Sequence, residues 1–458
     1  MRFKEKRSSP FKVIFLLIFF IVAAGAGYVY FSPAFEQNKP IISSDEKIFW
    51  NLKSPVTIHL DDESGIKYYK VVFKDGQKEI VVNQQVFTDI QKNVVINVTP
   101  PKLDIFYKGT NSKLFIETVD NSKWNLLEGN RATKTIDVQI DTKKPVANIL
   151  ENSRYIQRGG SGVVVVNVKD DNLKDAYITF NDQQRFKLQP FYKEGYYISL
   201  VAWPVNFKEF KRVNLVAIDR ANNKTITKVP FYIQNKRIKT DKIKLSERFI
   251  KNISASVLEQ SLEPIPTDLK EIFLQSNKKL REKNVSTIKN VAEKSMQLQM
   301  IDNFNINSFK RLRGSKTVAG FAERRHYYLH NEKINEAWHL GIDWASVKKA
   351  PVYASNDGMV IFNEYLGLYG NTIIIDHGMG LSSLYAHTSA QSVDIGEPVS
   401  KNQKIANTGA TGAVFGDHLH FGVLVQGIEV NPIEWMDSNW IKVRIIDVIN
   451  AAKKQIDG

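Results

Sequence analysis

The first hydrophobic pattern in the chain is an uncharged run of 19 residues from Val13 to Phe31. As a helix it would be about 28 Å long, enough to cross the hydrocarbon core of a membrane. Basic residues precede it, so the positive-inside rule places everything after Phe31 outside the cytoplasm; they are Arg2, Lys4, Lys6, Arg7 and Lys12. Ala24-Gly25-Ala26 also fits a signal-peptidase site, which leaves a cleaved signal peptide open. The apolar run continues past that site, so we expect residues 1–33 to form a cytoplasmic tail and an uncleaved transmembrane anchor.

Between about Lys39 and Gln234 the pattern changes to short β-branched runs separated by turns rich in Asp, Asn and Gly, which indicates strands. The stretch from Leu60 to Phe73 is similar to the one from Val168 to Phe180, and a second pair of segments repeats at nearly the same offset. A period of about 100 residues is the size of one immunoglobulin-like sandwich. The repeat resembles the Ig-like spacer modules of bacterial surface proteins and predicts two modules, over residues 39–142 and 143–235.

After Lys236 the apolar residues recur every three to four positions, which is typical of helices. Ser246 and Asp268 stand where they can cap two successive helices, and basic residues outnumber acidic ones in this stretch. We predict a helical linker over residues 236–305. It could hold an anionic cell wall, act as an autoinhibitory arm, or serve only as a solvated connection. A similar pattern predicts a short docking helix over residues 442–458.

Composition narrows the class of protein. The chain has 458 residues, 43% of them hydrophobic and 24% charged, which is ordinary for globular domains and excludes a collagenous or wholly disordered protein. It has no cysteine, which excludes disulfides, thiolate metal sites and a cysteine nucleophile. The net charge of +15 favours anionic surroundings. Because an exported body does not meet nucleic acid, we expect a cell wall or a phospholipid surface as the partner and no nucleic acid.

Seven of the eight histidines lie in the last third of the chain, between His326 and His420, which predicts one metal or acid–base site there. His339 and Asp343 are four residues apart, and no His-Glu-x-x-His occurs, which excludes the helix-borne zincin design. Two histidines and an aspartate can supply the three protein ligands of a catalytic zinc, which keeps a fourth position open. His326 and His330 lie in a predicted hairpin, so we do not expect a second metal site between them.

Two predicted strands carry polar side chains at a spacing of two. His418 and His420 would lie on one face of their strand, and by the same rule Tyr385 and His387 would share a face. One imidazole of such a pair can bind a metal while its neighbour acts on water or substrate. These residues therefore extend the predicted site from metal binding to acid–base chemistry.

A series of motifs between about Gly320 and Asp437 resembles the lysostaphin/LytM-type zinc metalloendopeptidases of bacterial cell walls. In chain order the motifs are His339-Leu340-Gly341-Ile342-Asp343, Ala350-Pro351-Val352-Tyr353-Ala354, Asp357-Gly358-Met359-Val360, Tyr369-Gly370-Asn371, Ile375-Asp376-His377-Gly378, Leu384-Tyr385-Ala386-His387, Gly396-Glu397-Pro398-Val399, Thr408-Gly409-Ala410-Thr411-Gly412, Asp417-His418-Leu419-His420-Phe421 and Val430-Asn431-Pro432. The resemblance implies that His339, Asp343 and His420 ligate one Zn²⁺ ion per catalytic domain. It also implies that His387 and His418 are an unliganded catalytic pair, and it leaves open which of them is the general base.

One motif departs from that family. Where the family often has Phe-Gly-x-Arg before the first ligand, this chain has Phe321-Ala322-Glu323-Arg324. The change puts the local turn and the role of Arg324 in doubt, and Arg325 could fill the arginine position. Together the patterns and the resemblance predict a mainly β protein with a transmembrane helix, two Ig-like β-sandwich modules, a helical linker and a LytM-type β-rich catalytic domain over residues 306–441.

The resemblance implies a zinc-dependent endopeptidase, a peptidoglycan hydrolase that cleaves stem peptides or cross-links during cell-wall remodelling. Its expected partners are peptidoglycan, protein regulators of cell-wall synthesis and the bacterial inner membrane, crossed once with the C-terminal body outside the cytoplasm. Acidic residues slightly outnumber basic ones between residues 310 and 441, which suits a peptide better than a polyanion. Two alternatives remain: an inactive LytM-type regulator that activates an amidase, and an adhesin-like protein built on the Ig-like modules. All five expected positions are filled, which favours the enzyme over the regulator.

Overall fold

A computed structural model describes residues 10–104, 107–234, 238–297 and 299–458. The chain forms two compact units, Met1–Lys144 with Asp219–Asn223 and Pro145–Ile218 with Lys224–Gly458. Some residues used in the sequence predictions lie outside the described residues; these are Arg2, Lys4, Lys6 and Arg7 of the basic flank and Lys236 at the predicted start of the linker.

The apolar run near the amino terminus is a single helix, α1, Pro10–Phe31. Its segment Phe11–Phe31 has a mean hydropathy of 2.5 and is exposed along its length. By length and composition this helix can cross a membrane, which agrees with the sequence prediction. A 3₁₀ turn, Pro33–Phe35, follows, and the hydroxyl of Ser32 caps it by accepting from the backbone of Ala34.

The first unit is a β structure with long, twisted strands. The strands are β1 Ile41–Ser43, β2 Lys47–Trp50, β3 Val56–Asp75, β4 Lys78–Val98, β5 Asn111–Asp120 and β6 Arg131–Ile140. They pair in the order β1-β3-β5-β6-β2, with β4 also paired to β3. Apolar side chains alternate along β3 and β5 and form the core of this unit around Trp50 and Phe73.

The second unit begins with another β module. Its strands are β7 Val146–Asn152, β8 Tyr155–Gln157, β9 Ser161–Lys169, β10 Leu173–Phe180, β11 Gln184–Lys187, β12 Gln189–Pro190, β13 Tyr196–Ala202, β14 Val213–Asp219, β15 Lys224–Lys228 and β16 Tyr232–Gln234. They pair in the orders β11-β10-β14-β15 and β12-β13-β9-β7, with β16 parallel to β8. The run Val163–Val166 in β9 is buried on both faces, which explains why it shows no polar alternation.

The helices of the linker form an arm between this module and the last domain. The first arm helix comprises Glu247–Phe249, the π-helical Ile250–Ser254 and Ala255–Gln260; the second comprises Leu269–Leu274, the π-helical Gln275–Leu280 and Arg281–Ser295. The side chains of Ser246 and Asp268 accept hydrogen bonds from Phe249 and Glu271, as the capping pattern predicted.

The last domain is a β structure that carries the histidines. Its strands are β17 Thr240–Lys244, β18 Lys316–Ala319, β19 Glu323–Leu329, β20 Glu332–His339, β21 Ile342–Ala345, β22 Pro351–Tyr353, β23 Gly358–Tyr365, β24 Asn371–Asp376, β25 Leu381–Gln391, β26 Pro398–Val399, β27 Lys404–Thr408, β28 Leu419–Val425 and β29 Ile428–Val430. The principal sheet has the order β18-β21-β28-β25-β24-β23-β26, and β17-β19-β20 form a second sheet. The mainly β fold class predicted from the sequence is confirmed.

The chain ends in helical segments that pack onto the second β module. They are Pro432–Met436, Ser438–Ile441, the π-helical Lys442–Ile446 and Asp447–Asp457. Ile445 and Ile449 belong to the same buried core as Val163 and Phe421, so the module and the histidine-bearing domain share one hydrophobic core. The indole nitrogen of Trp435 donates to Ser161 at 3.0 Å within this interface.

Candidate metal centre and active site

Three side chains from separate strands converge in the last domain. His339 is the last residue of β20, and Asp343 in β21 is the direct register partner of His420 in β28. Nε2 of His339 lies 3.0 Å from Oδ1 of Asp343 and 3.1 Å from Nδ1 of His420. The same Nδ1 lies 2.8 Å from Oδ1 of Asp343. The structure thus brings together the three residues for which the sequence predicts metal binding, and their ligand atoms could hold one ion.

The protonation pattern of this cluster suits zinc. Nδ1 of His339 lies 2.7 Å from the carbonyl oxygen of Gly320, which can only accept, so Nδ1 donates and Nε2 keeps its lone pair. Burial lowers the pKa of His420 to about 4, which keeps this imidazole neutral near pH 7. Burial opposes ionisation of Asp343, but the adjacent ring nitrogens of His339 and His420 outweigh it and hold the pKa of the carboxyl well below its usual range. Two imidazoles and a carboxylate are a ligand set that fits catalytic zinc.

Gly341 explains why the first motif has its particular sequence. A Cβ atom at this position would lie 2.4 Å from Nε2 of His420 and 2.7 Å from the carbonyl oxygen of Phe421. The backbone between the two ligands on β20 and β21 therefore passes directly against the third ligand. Only glycine leaves room for that close approach.

His387 and His418 lie beside the three ligands. Their ring centroids are 4.9 Å apart, and the His387 ring is 5.8 Å from the His420 ring. Nδ1 of His387 donates to the carbonyl of Thr411 and Nδ1 of His418 to that of Gly416, each at 2.8 Å. The neutral form of each ring therefore keeps an unprotonated Nε2. Burial, reinforced by the neighbouring histidines, lowers the pKa of His387 to about 3, so this imidazole is neutral near pH 7.

The prediction that Tyr385 shares a face with His387 is wrong. His387 has φ +61°, in the left-handed region, which breaks the alternation of side chains along β25. The Tyr385 ring instead packs against Phe421 on the other side of the sheet, 5.4 Å between centroids, and its hydroxyl accepts from the backbone of Ser355 at 3.0 Å. Tyr385 is therefore a buried packing residue, outside the histidine cluster.

The remaining histidines of this domain lie apart from the cluster. Nε2 of His326 on β19 is 3.5 Å from Glu336, and His330 in the following turn is 3.3 Å from Glu247. Their nearest acidic neighbours are thus two different glutamates. His377 bonds through one ring nitrogen to the carbonyl of Asp357 and through the other to Ser383, so it is half-buried and not a free surface residue.

Two arginines and a tyrosine complete the wall of the cleft. A cavity of about 80 Å³ in front of the ligands is also lined by Arg281, Arg325 and Tyr369. Nη2 of Arg325 lies 3.8 Å from Oδ2 of Asp343, whereas Arg324 pairs with Glu336 at 2.7 Å. Of these two arginines, Arg325 is therefore the one that lies beside Asp343. The sequence analysis missed Arg281, which belongs to the second arm helix and carries no motif of its own.

Comparison with known proteins identifies a family for one part of the chain. Residues 337–432 match the model of peptidase family M23. Over 136 residues the chain is 38% identical to "DD-carboxypeptidase/endopeptidase Mpg" of Neisseria meningitidis serogroup B, which is 30% of each chain. Over 106 residues it is 38% identical to "Peptidoglycan DD-endopeptidase ShyA" of Vibrio cholerae, covering 23% of this chain and 25% of that one.

The chain is also similar to a relative that is named as an activator and not as a peptidase. The chain is 36% identical over 109 residues to "Murein hydrolase activator NlpD" of Salmonella dublin, covering 24% of this chain and 29% of that one. The chain thus spans less than a third of the length of each of these relatives. The resemblance inferred from the motifs is confirmed, and this chain carries a peptidase family M23 domain of the LytM/lysostaphin type in its C-terminal part.

Proposed function

We propose that this protein is a zinc-dependent endopeptidase that hydrolyses peptide bonds of peptidoglycan, in stem peptides or cross-links, during cell-wall remodelling. The observation that carries the proposal is the convergence of five side chains from distant parts of the chain in one cleft. Three of them, His339, Asp343 and His420, offer ligand atoms to one point, and His387 and His418 stand beside them.

The chain's own residues supply distinct parts of the reaction. His339, Asp343 and His420 would hold the metal, and a bound zinc supplies an acidified water and a polarised carbonyl. His387 and His418 each direct Nδ1 at a backbone carbonyl, which leaves Nε2 to accept a proton from the nucleophilic water and return it to the leaving amine. Arg325, 3.8 Å from the outer oxygen of Asp343, helps to keep that carboxylate ionised and oriented.

The apolar helix α1 fits an enzyme that works at the cell wall. Its hydrophobic length is enough for a single crossing, and the basic residues that precede it in the sequence favour a cytoplasmic tail. In our proposal the helix anchors the protein in the inner membrane, and the body faces peptidoglycan outside the cytoplasm. Such a position also gives access to protein regulators of cell-wall synthesis.

A second candidate function is that of an inactive activator of another wall hydrolase. The observation that favours it is the similarity to a relative named as a murein hydrolase activator. A regulator needs no complete metal and acid–base set, whereas this chain retains three candidate ligands within hydrogen-bonding distance of one another and the His387 and His418 rings beside them. For this reason we favour the enzyme.

The test is digestion of purified muropeptides by the zinc-loaded protein, with and without a chelator, and identification of the new termini. His420→Ala should lose zinc and turnover together. His387→Ala should keep zinc but lower kcat by about 10²–10⁴, the usual effect of removing a general acid–base group. His326→Ala, a histidine of the same domain outside the cleft, should keep both. Wild-type protein that holds zinc but cleaves no muropeptide would favour the activator, and full turnover in both cleft variants would refute the site.

A further inference from the structure

The second arm helix is a fixed wall of the active-site cleft. Its Phe273 packs against Tyr327 of the M23 domain with ring centroids 5.1 Å apart, and Leu280 lies in the same buried cluster as Leu368. One turn further on, the side-chain oxygen of Asn284 accepts a hydrogen bond from the backbone of Leu368 at 3.0 Å. Leu368 itself lines the cavity in front of the metal ligands. The arm is therefore packed into the domain next to the position where a substrate would bind.

Arg281 on this helix lines the same cavity as the metal ligands. Its guanidinium is held by Asn277, with Nε donating to the backbone oxygen at 3.2 Å and Nη2 to the side-chain oxygen at 2.7 Å. Among the described residues it forms no ion pair with a carboxylate, whereas Arg325 on the other side of the cavity is paired with Glu323 and Asp343. Arg281 is thus an oriented cation with no direct ion pair in the described part of the chain, and its charge acts only at longer range on Glu429 and Tyr369.

A second and larger cavity continues from this point. It has a volume of about 480 Å³ and shares Arg281 and Leu340 with the cavity at the ligands. Its apolar walls come from three parts of the same compact unit: Val205 of the β module, Val285 of the arm and Trp338 of the M23 domain. This volume lies in the range of cavities that bind small molecules or short peptides.

The charged groups around the larger cavity leave Arg281 available. Glu336 is engaged by Arg324 and Lys333, each at 2.7 Å. Glu429 accepts from the hydroxyl of buried Tyr369 at 3.4 Å, and Glu282 and Lys278 are exposed at the rim. An anion that enters from the metal side would therefore meet a guanidinium that is already positioned, and a charge-assisted bidentate hydrogen bond is the strongest contact it could make.

We propose that Arg281 binds a free carboxylate of the peptide substrate close to the scissile bond, and that the adjoining cavity receives the neighbouring substrate residues. This inference rests on the proposed endopeptidase function and names a specificity-determining residue for it. Arg281 lies outside residues 337–432, the part of the chain that matches the family model. The arm is in this view a part of the substrate site.

The test compares two synthetic cross-linked stem peptides that differ only in one group, a free carboxylate next to the scissile bond or its amide. Both are offered to the full zinc-loaded protein and to Arg281→Ala, Arg281→Lys and Lys279→Ala. Binding is measured by calorimetry and hydrolysis by chromatography. Lys279 is the matched control, because it is exposed, lies two residues before Arg281 and lines neither cavity.

For the free carboxylate, Arg281→Ala should lower kcat/KM by roughly tenfold to a hundredfold, mostly through KM. For the amide, whose single oxygen accepts only a neutral hydrogen bond, Arg281→Ala should lower kcat/KM by no more than a few-fold, and Arg281→Lys should recover part of the loss on the free carboxylate. Equal losses on both peptides would overturn the inference, because they would mean that Arg281 only supports the fold. Increased hydrolysis of both would also overturn it and would identify the arm as an inhibitor.

The binding measurement separates this inference from the proposed function. If the wild type cleaves neither peptide but binds the free carboxylate more tightly than the amide, and Arg281→Ala removes that difference, the carboxylate site stands and the endopeptidase function falls. If the wild type cleaves both peptides and Arg281→Ala leaves both reactions unchanged, the carboxylate site falls and the endopeptidase function stands.

Discussion

Gly341→Ala is the perturbation that tests the geometry of the metal site most directly. The new methyl would lie 2.4 Å from Nε2 and 2.6 Å from Cε1 of His420, and 2.7 Å from the carbonyl oxygen of Phe421. Ordinary contacts begin near 3.4 Å, so some group must move by about 1 Å. Neither neighbour moves easily, because Phe421 pairs with Ile342 in the sheet and Asp343 holds the His420 ring. The substitution therefore displaces a metal ligand without removing any ligand atom.

The expected magnitudes follow from that displacement. Overpacking of a buried site costs about 1–3 kcal/mol of folding free energy. A disturbed support of a metal ligand lowers metal affinity by about 10–100-fold, and a 1 Å misplacement at a reacting centre can cost about 100-fold in rate. We expect Gly341→Ala to bind zinc about 10–100-fold more weakly and to lose about 100-fold in kcat/KM even when zinc is saturating.

The assay is a competition titration of zinc against a chelator, followed by kinetics on muropeptides at saturating zinc. Gly422→Ala is the control, because it adds a methyl group to β28, the strand of His420, two residues after that histidine. Its closest neighbour would be the Leu384 side chain at 3.3 Å. The control should keep zinc affinity within a factor of a few. Wild-type zinc affinity and rate in Gly341→Ala would refute the close approach on which the site's geometry depends.

Two further predictions concern stability. Burial raises the pKa of Glu429 from its ordinary 4.5 to about 7. The stability that this carboxyl contributes is therefore fully present below pH 4.5 and is lost as pH rises through about 7. In urea titrations, Glu429→Gln should raise the unfolding free energy by about 3 kcal/mol at pH 8 and leave it unchanged at pH 4. Phe273→Ala should cost about 3–5 kcal/mol, because the ring is 2% exposed and packs on Tyr327, whereas Leu262→Ala, at 95% exposure, should stay within about 0.5 kcal/mol. A Phe273→Ala protein as stable as the Leu262 control would show that the arm is not packed on the M23 domain.

Much of the metal cluster was predictable from the sequence because its residues lie in short motifs with a fixed geometry. His418 directly precedes β28 and His420 is its second residue, so their spacing of two is informative. Gly341 marks a close backbone approach. The meeting of β21 and β28 is a long-range pairing, and periodicity alone does not specify it. The order of motifs along the chain supplied that information through the resemblance.

The prediction for Tyr385 failed for a local reason. Strict alternation assumes extended backbone at every residue, and His387 adopts a left-handed conformation that a hydrogen bond to Thr411 helps to hold. Such an exception lies at the functional residue itself, where strain is most common. The pattern of apolar and polar residues in the sequence does not indicate this left-handed conformation.

Arg281 could not be found from the sequence because its role depends on how the arm packs. In the sequence it is one of many basic residues in a polar helix, and a solvated face is the ordinary interpretation of that pattern. The structure places its neighbours Leu280 and Asn284 against Leu368, and that contact turns Arg281 toward the cleft. The proposed role of Arg281 therefore depends on the tertiary contacts of the second arm helix, and no sequence motif marks it.

The same contacts decide between an arm that inhibits and an arm that belongs to the substrate site. Six arm side chains are buried in the cluster that also contains Leu368; they are Ile250, Val257, Leu258, Ile272, Phe273 and Leu280. At about 1.5–3 kcal/mol for each buried apolar side chain, exposure of all six would cost roughly 9–18 kcal/mol. A ligand shifts a conformational equilibrium only by its difference in affinity for the two states, typically about 1–3 kcal/mol. An activating ligand would therefore need an unusually large preference for the released form, whereas a fixed arm that contributes Arg281 to the cleft needs no such transition.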